Sequence, residues 1–290
     1  MVAARMNATA SSSRVWFITG CSGGLGRALA GAVLARGDRV VAASRRPESL
    51  DDLVAAHPET CRAVALDAHD PASIQTAIEE AVNAFGGIDV LVNNAGGAVF
   101  GAVEELDDAE VARNLELNFL APLRLTRAVL PHMRARRRGH IISLSAAAVL
   151  GNYPGFSAYG AAKAALETTM ESLAQEARPF GIGVTLVQPG PFRTGFLERS
   201  TTRAAARIED YTGTSGKFLT YLGSIAGKQP GDPAGAARAI LAVADAERPP
   251  LRLVLGKYAI DKARRRLVTA GRELDAWAEA GTAADFPAGS

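Results

Sequence analysis

Residues 15–26 read Val15-Trp16-Phe17-Ile18-Thr19-Gly20-Cys21-Ser22-Gly23-Gly24-Leu25-Gly26, and this stretch decides the fold. Its first part, Val15 to Thr19, is an apolar run that is too short for a helix and rich in β-forming side chains, which predicts a buried strand. A helical pattern follows the glycines and stops at Gly37. A strand, a glycine loop and a helix in this order present backbone N–H groups to a phosphate, and side chains in the loop would block that approach.

Strands and helices alternate along the rest of the chain. The further strands are predicted at residues 39–43, 63–66, 88–92, 140–144, 182–187 and 251–255. The further helices are predicted at 71–85 with Asp70 as N-cap, at 107–133 in more than one piece, from Tyr159 to about 177, at 233–246 and at 261–278. Each strand is a near-continuous apolar run, which indicates burial on both faces of a parallel sheet. The pattern predicts a doubly wound α/β fold of the Rossmann type, with about seven strands and helices on both faces.

No linker rich in Pro or Ser divides these units, so residues 14–290 are predicted to form a single domain. The pattern weakens between about 190 and 232, where glycines separate mixed fragments such as a helical one at 203–211. A segment of this length after a strand is a candidate substrate lid. Residues 1–13 are rich in Ala, Ser and Thr and are predicted to be disordered.

Composition excludes several classes of function. The chain of 290 residues has 32 Lys+Arg against 30 Asp+Glu, so no overall charge favours nucleic acid or a membrane surface. No stretch is long and apolar enough for a signal peptide or a membrane span, and we expect a cytoplasmic protein. Its two cysteines suggest a reducing compartment. Its four histidines have no metal-ligand spacing and are interpreted as surface or loop residues, so no metal is expected.

Tyr159 and Lys163 are four residues apart in a predicted helix and therefore lie on one face of it. The lysine charge favours a phenolate, so this pair predicts a tyrosine with a lowered pKa that exchanges a proton near neutral pH. Taken alone, such a pair is more typical of the surface of an amphipathic helix.

The chain resembles the short-chain dehydrogenase/reductase family over nearly its whole length. The matching pieces follow the family's order and spacing: Thr19-Gly20-x-x-x-Gly24-x-Gly26, Asp67, Asn93-Asn94-Ala95-Gly96, Asn118, Tyr159-x-x-x-Lys163, and Pro189-Gly190 with Thr194. One glycine motif is weak support, but ordered pieces that constrain each other are strong support.

The resemblance implies a nicotinamide dinucleotide cofactor and a set of site residues. It implies Tyr159, Lys163, Asn118 and a serine as catalytic residues, with Asn118 holding a water on a proton path to the lysine. The cofactor contacts that it implies are Gly20, Ser22, Gly24, Leu25, Gly26, Ser44, Arg45, Asp67, Asn93, Ala95, Gly96, Tyr159, Lys163, Pro189, Gly190 and Thr194.

The end of the second strand bears on which dinucleotide is bound. Family members that use NAD usually carry an acid there, whereas this chain has Ser44 followed by Arg45 and Arg46. Since no carboxylate repels it, a 2′-phosphate could pair with a guanidinium, and Arg45 is the first candidate. We therefore expect NADP(H), the alternative being two arginines on a solvated turn.

The serine of the family usually lies thirteen positions before the tyrosine, where this chain has Ala146 and a serine only at Ser145. A shift of one residue turns the hydroxyl to the other face of a regular strand. An extra residue in 151–154 would restore Ser145 to the role. Alternatively, the serine was replaced by engineering, or lost naturally with another donor orienting the substrate.

These residues predict an oxidoreductase that transfers hydride between nicotinamide and a carbonyl or secondary alcohol. The alternative is a dinucleotide-binding protein with little turnover, which Ala146 favours. Non-redox use of the same pocket has no specific support. The substrate is expected to be apolar or aromatic, because such residues recur in the 190–232 segment: Phe192, Phe196, Leu197, Tyr211, Phe218 and Tyr221. The resemblance also implies a homodimer or homotetramer formed through the helices that contain Asn118 and Tyr159.

Overall fold

The computed structural model describes residues 13–286. Its strands are β1 (Val15–Thr19), β2 (Arg39–Ser44), β3 (Cys61–Ala65), β4 (Val90–Asn93), β5 (Ala98–Phe100), β6 (Gly139–Leu144), β7 (Ile182–Pro189), β8 (Thr201–Arg203) and β9 (Arg252–Leu255). Its α-helices are α1 (Gly24–Ala35), α2 (Asp51–Ala56), α3 (Pro71–Phe85), α4 (Asp108–Leu115), α5 (Ala121–Arg136), α6 (Ser157–Ala177), α7 (Phe196–Arg199), α8 (Lys217–Ser224), α9 (Pro233–Ala244) and α10 (Lys257–Thr282). The segment predicted to be disordered, residues 1–13, lies outside the described residues except for Ser13.

Seven of the strands form one parallel sheet in the order β3-β2-β1-β4-β6-β7-β9. The order runs one way from β1 to β3 and the other way from β4 to β9, so the direction of winding reverses between β1 and β4. A doubly wound sheet opens a crevice at the carboxyl ends of its strands at such a reversal. The predicted fold is confirmed, and it puts the loops after β1 and β4 side by side.

The sheet is buried on both faces, as the apolar strands predict. Val15 and Phe17 of β1 face a core built with α3, α5 and α6. Trp16 and Ile18 face a second core built with α1, α2 and α9. Because side chains alternate along a strand, a run that is apolar at every position fills both cores at once.

The predicted α3 matches the observed helix at both ends, since its end signals are local. Asp70 accepts a hydrogen bond from the backbone N–H of Ala72 at 2.9 Å and caps the first turn. Gly86 ends the helix in the left-handed region, with φ of 79°.

The predicted helix at 107–133 consists of three pieces. A capping box between Asp107 and Glu110 begins α4. A π-helical turn, Glu116–Leu120, joins α4 to α5. Such turns are rare and frequently lie at functional sites, and this one contains Asn118.

The prediction of a helix at 203–211 is wrong. Residues Thr201–Arg203 form β8, which pairs with β5 in a separate two-stranded parallel sheet, and only a short 3₁₀ turn follows at Glu209–Tyr211. This pairing ties the 190–232 segment to the chain after β4 over long range, which a local pattern does not reveal.

His140 is not a surface residue, contrary to the prediction for the histidines. It is buried in β6, and its Nε2 lies 3.0 Å from Thr185 Oγ1. Burial lowers the pKa of His140 to about 4, with a contribution from the charge of Arg14.

Residues 13–286 contain no cluster of three or more His, Cys, Asp or Glu side chains able to hold a metal ion. Over the same residues, no helix combines the length and apolar character needed to cross a bilayer.

Candidate active site

A cleft of about 1190 Å³ lies at the carboxyl edge of the sheet, over the reversal between β1 and β4. Its floor is formed by the loops after β1, β2, β4 and β6, and one wall by the start of α6. The 190–232 segment covers the opposite side. The volume exceeds that of a typical drug-sized ligand pocket of about 300–1,000 Å³, so the cleft has room for a large ligand.

The glycine loop is folded back against the end of β4. Gly20 has a φ of +72°, and a Cβ added to Gly26 would lie 2.5 Å from the carbonyl oxygen of Gly20. Asn94 Nδ2 donates to the carbonyl oxygen of Thr19 at 2.7 Å. Glycine tolerates the positive φ at Gly20, and only glycine avoids the close contact at Gly26. Because neither residue has a side chain, the backbone of this loop is open to the cleft.

Most of the residues implied by the family resemblance line this cleft. They are Gly20, Ser22, Gly24, Leu25, Ser44, Arg45, Asp67, Ala95, Gly96, Ser145, Ala146, Tyr159, Lys163, Pro189, Gly190 and Thr194. Three others, Gly26, Asn93 and Asn118, do not line it.

The side chain of Asn93 is directed into the protein, contrary to the expected place beside the cofactor. Its Nδ2 lies 3.2 Å from Thr126 Oγ1 and 3.1 Å from Ser143 Oγ. Successive side chains alternate faces as β4 ends, so its neighbour Asn94 reaches the cleft and holds the glycine loop.

Asn118 is fully buried beneath the cleft. Its Nδ2 donates to the carbonyl oxygens of Gly97 at 2.8 Å and Asn114 at 3.0 Å. A Cβ added to Gly96 would lie 3.0 Å from Asn118 Oδ1 and 3.6 Å from Lys163 Nζ. The absence of a side chain at Gly96 thus keeps a small space between the amide and the ammonium.

Tyr159 and Lys163 lie on successive turns of α6 and are both buried. Lys163 Nζ lies 5.9 Å from the Tyr159 ring centroid and donates to the carbonyl oxygen of Leu144 at 2.7 Å. Burial lowers the pKa of Lys163 to about 8, and the charge of Glu167 acts against that effect.

The predicted lowering of the Tyr159 pKa is not found. Burial raises the pKa of Tyr159 above its usual value, with no opposing contribution from Lys163. A phenol in this environment stays protonated at neutral pH.

Ser145 and Ala146 differ sharply in what they contact. The backbone N–H of Ser145 donates to the carbonyl oxygen of Val187 at 2.8 Å, so the ladder between β6 and β7 continues without a register shift. The Ser145 hydroxyl donates to Glu167. Ala146 instead packs in the apolar cluster that contains Tyr159. The hydrogen bonds therefore do not give Ser145 the role of orienting a substrate oxygen.

The end of β2 forms a cationic rim on the cleft. Ser44 Oγ accepts from the backbone N–H of Arg46 at 3.2 Å, which holds the turn. Arg45 and Arg46 are exposed, line the cleft, and form no ion pair with any acid in residues 13–286. Asp67, at the end of β3, accepts from the backbone N–H of His69 at 2.9 Å.

Aromatic side chains form the wall beside Tyr159. Phe100 and Phe156 stack with centroids 4.4 Å apart, and Phe156 meets Tyr159 edge-on at 6.0 Å. Phe196 lies 6.0 Å from Tyr159 on the other side. Of the aromatic and apolar residues expected around the substrate, all line the cleft except Tyr211, whose hydroxyl donates to Glu104.

The family model described as short chain dehydrogenase matches residues 14–205 of this chain, which is most of the region that builds the cleft. The chain belongs to the short-chain dehydrogenase/reductase family. It is therefore an oxidoreductase by family, as the sequence motifs predicted.

Relatives span most of the chain. The oxidoreductase BOA17 of Botryotinia fuckeliana is 36% identical over 268 residues, which cover 92% of this chain and 97% of that protein. The 3-ketodihydrosphingosine reductase of Bacteroides thetaiotaomicron is 38% identical over 201 residues, 68% of this chain and 71% of that protein. The crystal structure of a short-chain dehydrogenase from Streptomyces avermitilis is 42% identical, with a TM-score of 0.90 over 95% of this chain and 100% of that chain.

Two more distant structures, from Burkholderia phymatum and Burkholderia cenocepacia, are complexes with NAD and with NADP. At 24% and 23% identity they show the fold alone. Members of this family bind a nicotinamide dinucleotide, and the fold does not distinguish between the two.

Four further residues at or next to the cleft were not found from the sequence: Phe156 and Arg199 line it, whereas Phe100 and Glu167 contact residues that do. Phe100 and Phe156 had no motif. Glu167 follows Lys163 by four residues on the same helix face, so its spacing was a signal that could have revealed it. Arg199, on α7, reaches across to the glycine loop, where a Cβ added to Gly23 would lie 3.0 Å from its Nη2. No sequence signal points to that contact.

Proposed function

We propose that this chain is an NADP(H)-dependent oxidoreductase that transfers hydride between nicotinamide and a carbonyl or secondary alcohol. The observation that carries the proposal is the buried pair Tyr159 and Lys163 at the edge of a cleft whose floor is a bare glycine loop. A phosphate-binding loop next to a buried phenol and ammonium matches what hydride transfer to a carbonyl needs from a protein.

The residues of the cleft fit a dinucleotide. The glycine loop leaves backbone N–H groups free for a pyrophosphate, and Thr194 packs over Gly24, with its Cβ 3.3 Å from a Cβ added there. Arg199 lies over the same loop, and we propose that its guanidinium pairs with the pyrophosphate. When bound, the cofactor supplies or accepts the hydride. Asp67 would accept from the adenine, and Lys163 would hold the ribose.

The preference for NADP(H) rests on charge at the end of β2. Two arginines without an ion-pair partner in residues 13–286, and a serine instead of an acid at the end of β2, favour a 2′-phosphate over free ribose hydroxyls. The test is the ratio of the dissociation constants of NADH and NADPH, measured by fluorescence titration. Arg45→Ala is expected to lower that ratio about tenfold or more, because it weakens the binding of NADPH and leaves the binding of NADH unchanged. An equal effect on NADH would contradict the assignment.

Tyr159 is proposed as the general acid that protonates the carbonyl oxygen during reduction. Because burial raises its pKa, the phenol is protonated at neutral pH and carries the proton that this role requires. Lys163 is proposed to pass a replacement proton toward Tyr159, and Asn118 to hold the path across the space beside Gly96.

The substrate is proposed to be a ketone or alcohol with an apolar or aromatic body. Phe156 and Phe196 lie beside Tyr159, Phe100 stacks on Phe156, and Ala146 adds no polar group. A relative named 3-ketodihydrosphingosine reductase supports a ketone as the substrate. We propose that the 190–232 segment acts as the lid over this substrate.

The experiment is NADPH oxidation against a panel of ketones and quinones, with Tyr159→Phe and Ala146→Ser run in parallel. Tyr159→Phe is expected to lose about 10²-fold or more in kcat while NADPH still binds. Unchanged turnover in that variant would sink the assignment of Tyr159. Ala146→Ser is expected to raise turnover by about 10²-fold, the usual effect of one oriented donor at the reacting oxygen.

A second candidate, a dinucleotide-binding protein with little turnover, is favoured by one observation. Ala146 faces the apolar cluster around Tyr159, and the Ser145 hydroxyl is bound to Glu167. Tight NADPH binding without oxidation across the panel, by the chain and by Ala146→Ser alike, would favour this candidate.

The assembly and location of the protein also belong to the proposal. The family resemblance suggests a homodimer or homotetramer through α6, which contains Tyr159, and the helical stretch from α4 to α5, which contains Asn118. Two free, buried cysteines are compatible with a reducing cytoplasm.

A further inference from the structure

The C-terminal helix α10 extends away from the body of the protein. It has 26 residues, and at 1.5 Å a residue it is about 39 Å long. Its first turns pack on the body, where Lys262 Nζ lies 3.4 Å from the Tyr153 ring centroid and Ala259 is buried. From residue 264 onward most side chains are exposed. We call residues 264–282 the outer part of α10.

The outer part of α10 carries an apolar stripe that nothing in residues 13–286 covers. Leu267, Leu274 and Trp277 are 74%, 70% and 74% exposed. Apolar residues along the helix recur at alternating steps of three and four: Ile260, Ala263, Leu267, Ala270, Leu274 and Trp277. This is the spacing of a helix that pairs with another helix through a narrow seam.

Charge is segregated along the same part. Three arginines, Arg264 to Arg266, lie at its beginning, Arg272 lies at its middle, and the acids Glu273, Asp275 and Glu279 lie toward its end. A parallel pair of such helices would set like charges side by side. An antiparallel pair sets the basic end of one helix along the acidic end of the other, so the charge pattern selects a second α10 in antiparallel orientation.

We propose that the outer part of α10 is a self-association surface that pairs antiparallel with the same helix of a second copy of this chain. With the two-fold axis level with Arg272, Leu267 of one copy faces Trp277 of the other, and Ala270 faces Leu274. Ala270 then leaves room for Leu274 near the centre of the seam, and Leu267 packs against the ring of Trp277. This interface is separate from the cleft and does not depend on the proposed function.

A lipid surface fits the same helix less well. Membrane-surface helices carry Lys and Arg along the whole polar face, whereas the last turns of α10 present three acids to the solvent. Vesicle binding is therefore an outcome that the test must be able to detect.

The first test is a cysteine cross-link in the full chain. Gly271 is helical with nothing within 4 Å of an added Cβ, and it flanks the seam near the axis. Gly271→Cys is expected to give a disulfide-linked dimer under mild oxidation, because antiparallel pairing brings the two copies of this position together. Val268→Cys, on the outer face of the helix, is the matched control. Both native cysteines are buried, so their background is low. Equal cross-linking of the two variants would overturn the proposal.

The second test measures the mass of the assembly by light scattering over a range of concentrations. Leu267→Glu with Leu274→Glu is expected to weaken association by about 100-fold or more and to lower the mass about twofold, with Val268→Glu as control. NADPH binding reports that each variant is folded. Unchanged mass in the double variant would overturn the proposal. So would binding of the chain to phosphatidylserine vesicles that the double variant loses without any change in mass.

Discussion

Glu167 shows how a single residue can act on a site that it does not line. It lies one turn beyond Lys163 on α6, and its carboxylate accepts from Ser145 and from Gln188 Nε2, at 2.8 Å for the latter. Arg252 lies 3.4 Å away on the solvent side. The charge of Glu167 opposes the effect of burial on Lys163 and keeps the ammonium protonated to a higher pH.

We predict that Glu167→Gln moves the alkaline limb of the activity profile to lower pH. The amide keeps the shape but removes the charge, so the pKa of Lys163 falls below its present value of about 8. Since the ammonium is then lost earlier as pH rises, kcat/KM for NADPH oxidation falls at pH 7.5–8 and is unchanged near pH 6.

The matched control for this prediction is Glu171→Gln, on the same helix and paired with Arg252. A limb displaced equally in both variants would mean that the effect comes from general surface charge. A limb displaced in neither would mean that Lys163 does not sense Glu167.

We predict that Gly96→Ala slows turnover more than it weakens NADPH binding. The added methyl would lie 3.0 Å from Asn118 Oδ1 and 3.6 Å from Lys163 Nζ, in the space proposed for proton transfer. Because positioned proton transfer contributes about 10²–10⁴ in rate, we expect kcat to fall about tenfold to 100-fold.

Gly31→Ala is the control for that substitution, since nothing lies within 4 Å of an added Cβ there. It lies inside α1 and is expected to stabilise the protein by about 0.5–1 kcal/mol without changing kcat. Full turnover in Gly96→Ala would mean that the proton path of the reaction does not run through the space beside Gly96.

Among the helices and strands, the sequence correctly predicted those features that residues within the segment itself determine. The helix α3 was predicted at both ends, with Asp70 as its N-cap, and in the structure both caps, Asp70 and Gly86, lie next to the segment itself. Buried strands were predicted because burial on two faces leaves an apolar run. The strand β8 was not predicted, and its last residue, Arg203, was placed in a helix, because its partner β5 lies about a hundred residues earlier and no pattern within the segment records that pairing.

The candidate site also has residues that their spacing in the sequence reveals and residues that only the tertiary structure reveals. Glycines, Tyr159 and Lys163 carry their spacing in the sequence, so the cleft that they line could be predicted. The direction of a side chain at the end of a strand depends on the hydrogen-bond ladder with the neighbouring strands, which the sequence does not record. For this reason Asn93 was expected at the cleft, where the structure has Asn94 instead. The aromatic wall unites residues from distant segments, and only the tertiary fold brings them together.

Strand β6 carries a prediction about acid stability through His140. Its folded pKa of about 4 lies below its ordinary value of about 6.5, so the unfolded chain binds the extra proton first. Stability therefore falls as pH drops from about 6.5 to 4, by at most about 3 kcal/mol from this group. His140→Gln is expected to remove that part of the pH dependence, because an amide still donates to Thr185 Oγ1 without titrating.

Urea unfolding of the chain and of His140→Gln at pH 7 and pH 4.5 measures the effect. The difference in unfolding free energy between the two proteins should change by about 1–3 kcal/mol toward the variant at the lower pH. A difference that stays constant would show that His140 is not neutral and buried in the folded protein.

For the whole molecule, the cleft joins parts of the chain that are far apart in sequence. The glycine loop belongs to β1 and α1, whereas Thr194 and Arg199 reach it from the 190–232 segment. A ligand that contacts both the glycine loop and the 190–232 segment should therefore stabilise these two parts of the folded protein together. At a free concentration of 100 times Kd, a ligand specific for the folded state adds about 2.7 kcal/mol.

We predict that saturating NADPH raises the melting temperature by about 5–10 °C, given a shift of about 2–4 °C per kcal/mol for a chain of this size. At the same NADPH concentration, Arg199→Ala should lower that shift, since it removes the guanidinium over the glycine loop. Arg207→Ala is the control, because Arg207 is exposed in the same segment but outside the cleft. Equal melting-temperature shifts in the two variants would mean that Arg199 makes no contact with the pyrophosphate of bound NADPH. A loss confined to Arg199→Ala would mean that bound NADPH contacts Arg199 and so links the glycine loop to the 190–232 segment.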